Sequence, residues 1–285
     1  MGDNSKIEWT DATWNPWQGC TKVSPGCDHC YAEAMWKRLG RDFSKVVRSA
    51  PGTFNLPLRL QDKVSRGEMT GPIYVFTCSV SDFFHEAVPT AWREEAWAIM
   101  QRTPGITYQV LTKRPKRAYQ WWIGSNVLGW DAHPWPPNVW LGTSVESQDQ
   151  AKRLDWLAQV PAPVLFASCE PLLGPLDIGR WVTHPTLFHL DWIIVGGESG
   201  PHARPMHPDW ARSLRDQCQE AGVPYFFKQW GEFHPVENAG SQVYPFRVVT
   251  VGDQDMGRVG RQKAGRELDG HTWDEMPERE APHGN

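Results

Sequence analysis

The sequence predicts an α/β fold: a partial or full (β/α) TIM-type barrel with a cysteine loop after its first strand. Three observations predict it. Short apolar runs recur along the chain, amphipathic stretches lie between them, and the runs follow one another at about 25 to 35 residues. The runs are PIYVFTC (72–78), ITYQVLT (106–112), NVWLGTS (138–144), PVLFASC (163–169), WIIVGGE (192–198) and PYFFKQW (224–230). They are rich in β-branched and aromatic residues. Near-continuous apolarity suits strands buried on both faces, as in a parallel sheet. An earlier strand is expected near Ile7 to Thr13. Alternating strands and helices at this spacing build a β/α barrel, with a doubly wound open sheet as the other compatible topology.

The helices carry their own signals. Residues 89–102 place Trp92, Ala96, Ile99 and Met100 at helical spacing. Residues 147–160 open with Ser147 and Gln150, a capping-box pattern. Residues 207–222 put Pro208 in a first turn and Gly222 at a stop. A barrel domain is expected over residues 1–231. A C-terminal extension over 232–285 packs on it, with a strand within 247–252 and an irregular ending near 273–277.

Of the 285 residues, 40% are hydrophobic and 22% charged, which supports a folded core. The net charge of -4 argues against a generally basic nucleic-acid binder and leaves room for a local basic groove. Seventeen tryptophans suit core and pocket walls. There is no apolar run long enough to cross a membrane, no signal-peptide pattern and no myristoylation motif, so a cytoplasmic protein with no membrane partner is expected. In a reducing compartment, clustered cysteines point to metal binding or catalysis more than to disulfides.

β/α barrels work at the C-terminal ends of their strands, where the loops converge. Here those ends read Cys78-Ser79 with Asp82, Thr112-Lys113-Arg114, Thr143-Ser144 with Glu146, Cys169-Glu170, Gly197-Glu198-Ser199 and Lys228-Gln229-Trp230. Small hydroxyls, thiols, acids and lysines follow the apolar runs, which marks a shared functional mouth.

The densest motif precedes them: Cys20-x6-Cys27-x2-Cys30, with Pro25-Gly26 as a turn. Three readings fit its residues. Three thiolates hold three irons of a cubane cluster and leave the fourth iron open. Alternatively, three thiolates and a histidine close a structural zinc site; His29 is cramped between Cys27 and Cys30, so a distant histidine would serve. In the third reading the thiols are unligated core groups. Placement between the first strand and a helix starting at Tyr31 puts the motif at the barrel mouth, where a reactive cofactor has more reason to be than a structural ion. Cys218, in a helical stretch, reads as a buried small residue.

The cysteine loop and the strand–helix order resemble the radical S-adenosylmethionine superfamily; more narrowly, EWTDATWNPWQGCTKVSPGCDHCYAE, the VGGESG turn, FFKQWGE and AGRELDG resemble a phage-associated three-cysteine-motif family of unknown substrate. The superfamily's usual loop is Cys-x3-Cys-x2-Cys; here the first gap is six. The resemblance implies that Cys20, Cys27 and Cys30 hold a [4Fe–4S] cluster. It also implies that the open iron chelates S-adenosylmethionine, and that one-electron cleavage yields a 5′-deoxyadenosyl radical that takes hydrogen from a substrate. An external flavodoxin- or ferredoxin-like electron donor follows from that. His29 becomes a ring stacking near the adenine. The family's Gly-Gly-Glu motif belongs after the second strand, where this chain has Cys78 to Asp82. Ser79 and Asp82 are therefore cofactor-binding candidates by position, and Glu198, after two glycines, by its own chemistry. Ser144 and Lys228 join them at their strand ends.

On the substrate side, Lys113, Arg114, Lys116 and Arg117 form a basic run, and Arg204 and Lys228 add cations from later strand ends. Beside them stand Trp230 and a group of rings, Trp121, Trp122, Trp130, Trp135 and Trp140, around HPWPP (133–137). Cations beside rings suit a nucleotide or nucleic-acid substrate, with Lys113, Arg114, Arg204 and Trp230 as contacts. Cys78, Cys169 and Glu170 are candidate catalytic groups. Hydrolase and nucleotide-triphosphatase motifs are absent from the sequence. A zinc-binding structural or nucleic-acid-binding barrel is the alternative function.

Overall fold

The computed structural model describes residues 5–127, 135–183, 189–236 and 247–278. Its main sheet has seven strands. These are β1 (Ala12–Trp14), β2 (Ile73–Thr77), β3 (Ile106–Thr112), β4 (Val139–Ser144), β5 (Leu165–Cys169), β6 (Trp192–Gly196) and β7 (Tyr225–Gln229). They lie side by side in chain order, and every pairing is parallel. A doubly wound sheet reverses its strand order at a switch point; this one has no reversal. The sheet curls as a half-barrel with β1 and β7 at its edges. All six expected apolar runs contain a strand. The first strand is shorter and later than expected, because Ile7 and Trp9 leave the strand direction and pack against the concave face.

The helices longer than four residues, among those described, are α1 (Tyr31–Arg38), α2 (Leu56–Ser65), α3 (Thr90–Gln101), α4 (Pro115–Val127), α5 (Lys152–Leu157) and α6 (Pro208–Ala221). Among the described residues, no helix is long and apolar enough to cross a membrane. In α3, Ala96, Ile99 and Met100 are buried as their spacing requires. Gly222 ends α6 in the left-handed conformation at φ 69°. The expected capping box before α5 does not form. Ser147 stays extended, its side chain caps nothing, and a short 3-10 turn (Gln148–Gln150) precedes the helix.

Successive strand residues face opposite sides of the sheet. Val75, Tyr108, Val110, Leu141, Ala167, Ile193, Val195 and Phe227 join the helices in the larger core. Tyr74, Phe76, Trp140, Phe166, Trp192, Ile194 and Phe226 fill the concave side. Trp192 is central there, its ring 5.7 to 6.2 Å from those of Trp9, Trp140, Phe166 and Phe226. Gly142 makes room for this stack: a Cβ at that position would lie 2.3 Å from the Phe166 ring. Aromatics thus plug the half-barrel below its C-terminal mouth.

Past β7 the chain forms a three-stranded antiparallel sheet from 233–235, 247–251 and 254–258. The tail then runs back along the open edge of β7. Phe227 N–H donates to the Trp273 carbonyl at 2.9 Å, Tyr225 N–H to the Glu275 carboxylate at 2.9 Å, and the Trp192 indole to the Glu275 carbonyl at 2.9 Å. An exposed strand edge is a pairing hazard, and the tail covers this one. Trp130 and residues 133 and 134 of the HPWPP loop lie outside the described residues.

Candidate functional site

Residues 15–30 connect β1 to α1 and carry the three clustered thiols. Cys27 closes a 3-10 turn, its N–H donating to the Ser24 carbonyl at 2.9 Å, and Cys30 is the N-cap of α1. All three thiols are free and half-buried.

Ion pairs rising from three different strand ends hold this loop. After β3, Arg114 is almost fully enclosed, 6% exposed. Its guanidinium donates to Asp82 at 3.1 Å, to Glu86 at 2.9 Å, to the Thr21 carbonyl at 3.1 Å and hydroxyl at 2.9 Å, and reaches the Cys20 sulfur at 3.6 Å. Asp82 is itself fixed by the Thr112 hydroxyl at 2.7 Å and the Lys113 N–H at 3.0 Å. After β4, the buried Glu146 accepts the Gly26 N–H at 3.1 Å and Arg153 at 2.8 Å. After β6, Glu198 accepts Arg204 at 2.6 and 2.8 Å and lies 3.1 Å from His29 Nδ1, while Arg204 also donates to the Pro25 carbonyl at 2.9 Å.

These contacts set the charge states. Burial alone raises the Glu146 carboxyl, but Arg153 and the donors on the loop bring it below the usual carboxylate range. Burial acts the same way on Glu198, and the bonds from Arg204 and His29 bring it down. Both acids therefore meet their partners as anions. Burial, reinforced by the Asp82 charge, pushes the Cys20 thiol up to about 11, with Arg114 opposing it.

The loop roofs one cavity of about 550 Å³. Cys20, Cys27, Cys30, His29, Cys78, Ser79, Asp82, Lys113, Arg114, Ser144, Glu170, Glu198 and Lys228 all line it. Its polar walls are linked: Lys113 Nζ donates to the Ser144 hydroxyl at 3.1 Å, and Lys228 Nζ to both Glu170 oxygens at 2.8 and 2.7 Å. Ile7, Trp9, Phe76 and Leu111 give it an apolar floor.

Three expected residues are not brought to the cavity. Cys169 is fully buried and faces the helix layer with Ala167, because strand alternation turns Ser168 and not Cys169 towards the concave side. Trp230 is 4% exposed, meets the Phe227 ring edge-to-face at 5.0 Å and donates its indole N–H to the Glu267 carbonyl. Arg204 stands behind Glu198, and Arg114, though it touches the cavity, has its donors committed to the loop and to acids. Both arginines brace the cysteine loop in place of offering free cations.

The glycine pair before Glu198 also acts differently from the expectation of close approach to a ligand. A Cβ at Gly197 would fall 2.0 Å from the Trp230 carbonyl oxygen, and one at Gly231 would fall 2.2 Å from the Glu198 carbonyl oxygen. Two turns of this chain cross there in backbone contact.

Arg261, which lines the cavity, and Asn15, which bonds to Ser79 beside it, carried no sequence signal. Arg261 arrives from the C-terminal extension and donates to Gln229. Asn15 is fully buried and holds the turn after β2, accepting the Val80 N–H at 3.0 Å and donating to Ser79 Oγ at 2.9 Å. Cys78 sits in that turn at φ 65°, a left-handed conformation that costs a non-glycine residue roughly 1–2 kcal/mol. Such strain collects at functional sites.

Among the described residues, no three His, Cys, Asp or Glu side chains stand close enough to hold a single ion. A tetrahedral zinc needs donors gathered round one point at about 2.0–2.3 Å. A multi-iron cluster takes each thiolate on a different iron, so its ligands stand further apart. Cys20, Cys27 and Cys30 are three free thiols on one braced loop, and all three line the cavity.

The fold and site define an open parallel β/α half-barrel with a thiol-bearing loop braced over its C-terminal mouth. The chain belongs to DUF5131, a family of proteins of unknown function, which matches over residues 4–277. Comparison with curated proteins and with solved structures found no match.

Proposed function

We propose that this protein is a radical S-adenosylmethionine enzyme whose Cys20, Cys27 and Cys30 hold a [4Fe–4S] cluster. One observation carries the reading: the three free thiols line the same cavity as the residues at six strand ends, on a loop locked by ion pairs. Bound there, such a cluster supplies the single electron that cleaves S-adenosylmethionine to a 5′-deoxyadenosyl radical.

The chain's own residues do the rest. Ser79 and Ser144 offer hydrogen-bond acceptors for an ammonium and for ribose hydroxyls, while Asp82 and Glu198 hold the arginines that brace the loop. Lys113 and Lys228 offer cations for a carboxylate or for a phosphate-bearing substrate such as a nucleotide or nucleic acid. His29 forms a ring wall beside the thiols. Ile7, Trp9, Phe76 and Leu111 exclude water from the floor. Glu170, salt-bridged to Lys228, is placed to move a proton at a substrate atom, and Cys78 presents a thiol whose burial keeps it protonated, as a hydrogen donor requires. A volume near 550 Å³ lies within the range of about 300–1,000 Å³ for small-ligand sites. An external flavodoxin- or ferredoxin-like protein supplies the electron.

The test is cleavage of S-adenosylmethionine by anaerobically purified, dithionite-reduced protein. The reading expects 5′-deoxyadenosine from the wild type and none from Cys27→Ala. A wild type that takes up iron and sulfide yet releases no 5′-deoxyadenosine would reduce the protein to a cluster-bearing binding module.

A further inference from the structure

The C-terminal extension brings one arginine to the cavity and fixes it there. Arg261 opens a single helical turn, Arg261–Ala264, that is pinned on both sides. Before it, the Val259 and Gly260 N–H groups donate to the Glu232 carbonyl at 3.0 and 3.1 Å. After it, the Trp230 N–H donates to the Gly265 carbonyl at 3.2 Å. Ala264, 3% exposed, anchors the turn from within. The guanidinium is steered as well: its Nε donates to the side-chain oxygen of Gln229. The Gln229 amide has one orientation, because its nitrogen donates to Ser199 Oγ at 3.1 Å and to the Glu170 carboxylate at 3.3 Å.

With Nε committed, the two terminal nitrogens of Arg261 remain. Among the described residues they have no acceptor, and Arg261 has no acid partner. Lys228, on the same wall, differs: Glu170 meets its charge with both oxygens, at 2.8 and 2.7 Å. Arg261 is exposed, yet it is held with its forked end open at the cavity. That end presents two N–H donors that match two oxygens of one carboxylate or phosphate. Beside it the wall carries groups suited to hydroxyls: Glu170, Ser199 and Ser168. Ser168 is 2% exposed, and its hydroxyl has no partner among the described residues. Convergent polar groups of this kind fix a ligand's orientation.

We propose that Arg261 recognises the substrate of this cavity: its forked end takes an oxyanion, phosphate or carboxylate, on a small molecule whose hydroxyls meet Glu170, Ser168 and Ser199. Naming that molecule the substrate rests on the radical reading above; the anion site does not. The cysteine loop follows β1, at one edge of the sheet, while Arg261 is held by β7, at the other. The anchor for the oxyanion therefore belongs to a different element from the thiols. It also gives the C-terminal extension a part in recognition besides covering the edge of β7.

The experiment follows the melting temperature of the full chain, purified without oxygen, against rising ligand concentration, since a ligand of the folded state raises it by mass action. The probes share one hydroxylated skeleton: ribose 5-phosphate, ribonate and uncharged ribose. Four proteins are compared: wild type, Arg261→Gln, Arg261→Lys and Arg102→Gln, the last at an exposed position after α3 and outside the cavity. At least one oxyanion is expected to bind the wild type about ten-fold or more tightly than ribose, and Arg261→Gln to erase that gap. Preference for ribose 5-phosphate assigns phosphate as the group; preference for ribonate assigns carboxylate. Arg261→Lys keeps the charge without the fork and restores only part of the gap. Arg102→Gln stays at wild-type affinity. A wild type that binds neither oxyanion more tightly than ribose overturns the proposal, and so does an undiminished gap in Arg261→Gln. S-adenosylmethionine binding weakened by Arg261→Gln as much as oxyanion binding would make Arg261 a cofactor contact and overturn its assignment to substrate. If the dithionite-reduced wild type releases no 5′-deoxyadenosine, the radical reading fails, and the melting comparison still decides the anion site.

Discussion

Glu146 accepts the Gly26 N–H at 3.1 Å, tying the middle of the cysteine loop to the end of β4. The carboxylate is fully buried, and Arg153 at 2.8 Å balances it. Removing one partner of a buried pair leaves the other charge unpaired, which costs about 3–5 kcal/mol. Glu146→Ala is therefore expected to lower unfolding stability by that amount in chemical denaturation. The double variant Glu146→Ala/Arg153→Met, which removes both charges, recovers a large part of the loss. A single variant as stable as wild type would show that the pair does not brace the loop.

Gly142 lies where the concave aromatic stack leaves no room. A methyl there meets the Phe166 ring at 2.3 Å, whereas one at Gly124 meets nothing within 4 Å. Overpacking typically costs about 1–3 kcal/mol. Gly142→Ala is expected to destabilise by this order, while Gly124→Ala, on a helix, is neutral or slightly stabilising. Thermal melts of the two variants check the contrast.

Thiol reactivity separates the six cysteines. Cys78, Cys169 and Cys218 are 4%, 0% and 0% exposed, while Cys20, Cys27 and Cys30 are half-buried. In metal-stripped native protein, a thiol reagent is expected to titrate the loop thiols and to reach the other three only after unfolding. Rapid reaction of Cys169 in the native state would contradict its placement against the helix layer.

Asp269 fastens the C-terminal segment to α6, accepting Arg212 at 2.7 Å and also Arg215. The bond from Arg212 holds its carboxyl below the usual range. A carboxyl depressed on folding stabilises the protein above its unfolded value, about 3.9, and that stabilisation is lost as pH falls through the lower folded value. Asp269→Asn is expected to lower stability at neutral pH and to flatten the loss of stability below about pH 4. The backbone at 269 has φ 55°, which asparagine tolerates, so the variant tests the charge. Denaturation midpoints across the acid range measure it. The effect is small because the side chain is about one-third exposed, 36%.

Part of this structure is legible from residue patterns. The six apolar runs carry strands because a parallel sheet covered on both sides leaves no polar alternation. That same feature hides which face is concave: Phe166, Ala167, Ser168 and Cys169 are all buried, so Cys169 read as well as Ser168 for a cavity residue. β1 escapes the pattern because three residues are too few to show a period. The bracing roles of Arg114 and Arg204 depend on Thr21 and Pro25, 93 and 179 residues away. Charge runs alone cannot reveal such partners. Arg261 reaches the cavity only because the extension folds back past β7. The cysteine loop was the most readable feature, since its spacing and its place between a strand and a helix both lie in local sequence.

The central claim is that Cys20, Cys27 and Cys30 hold an iron–sulfur cluster. Metal and sulfide analysis of protein purified without oxygen tests it most directly. The expected result is a brown protein with about four irons and four sulfides per chain and an absorption band near ~400 nm. Iron is lost from each of Cys20→Ala, Cys27→Ala and Cys30→Ala and retained by Cys218→Ala. A colourless wild type carrying one zinc per chain would contradict the account.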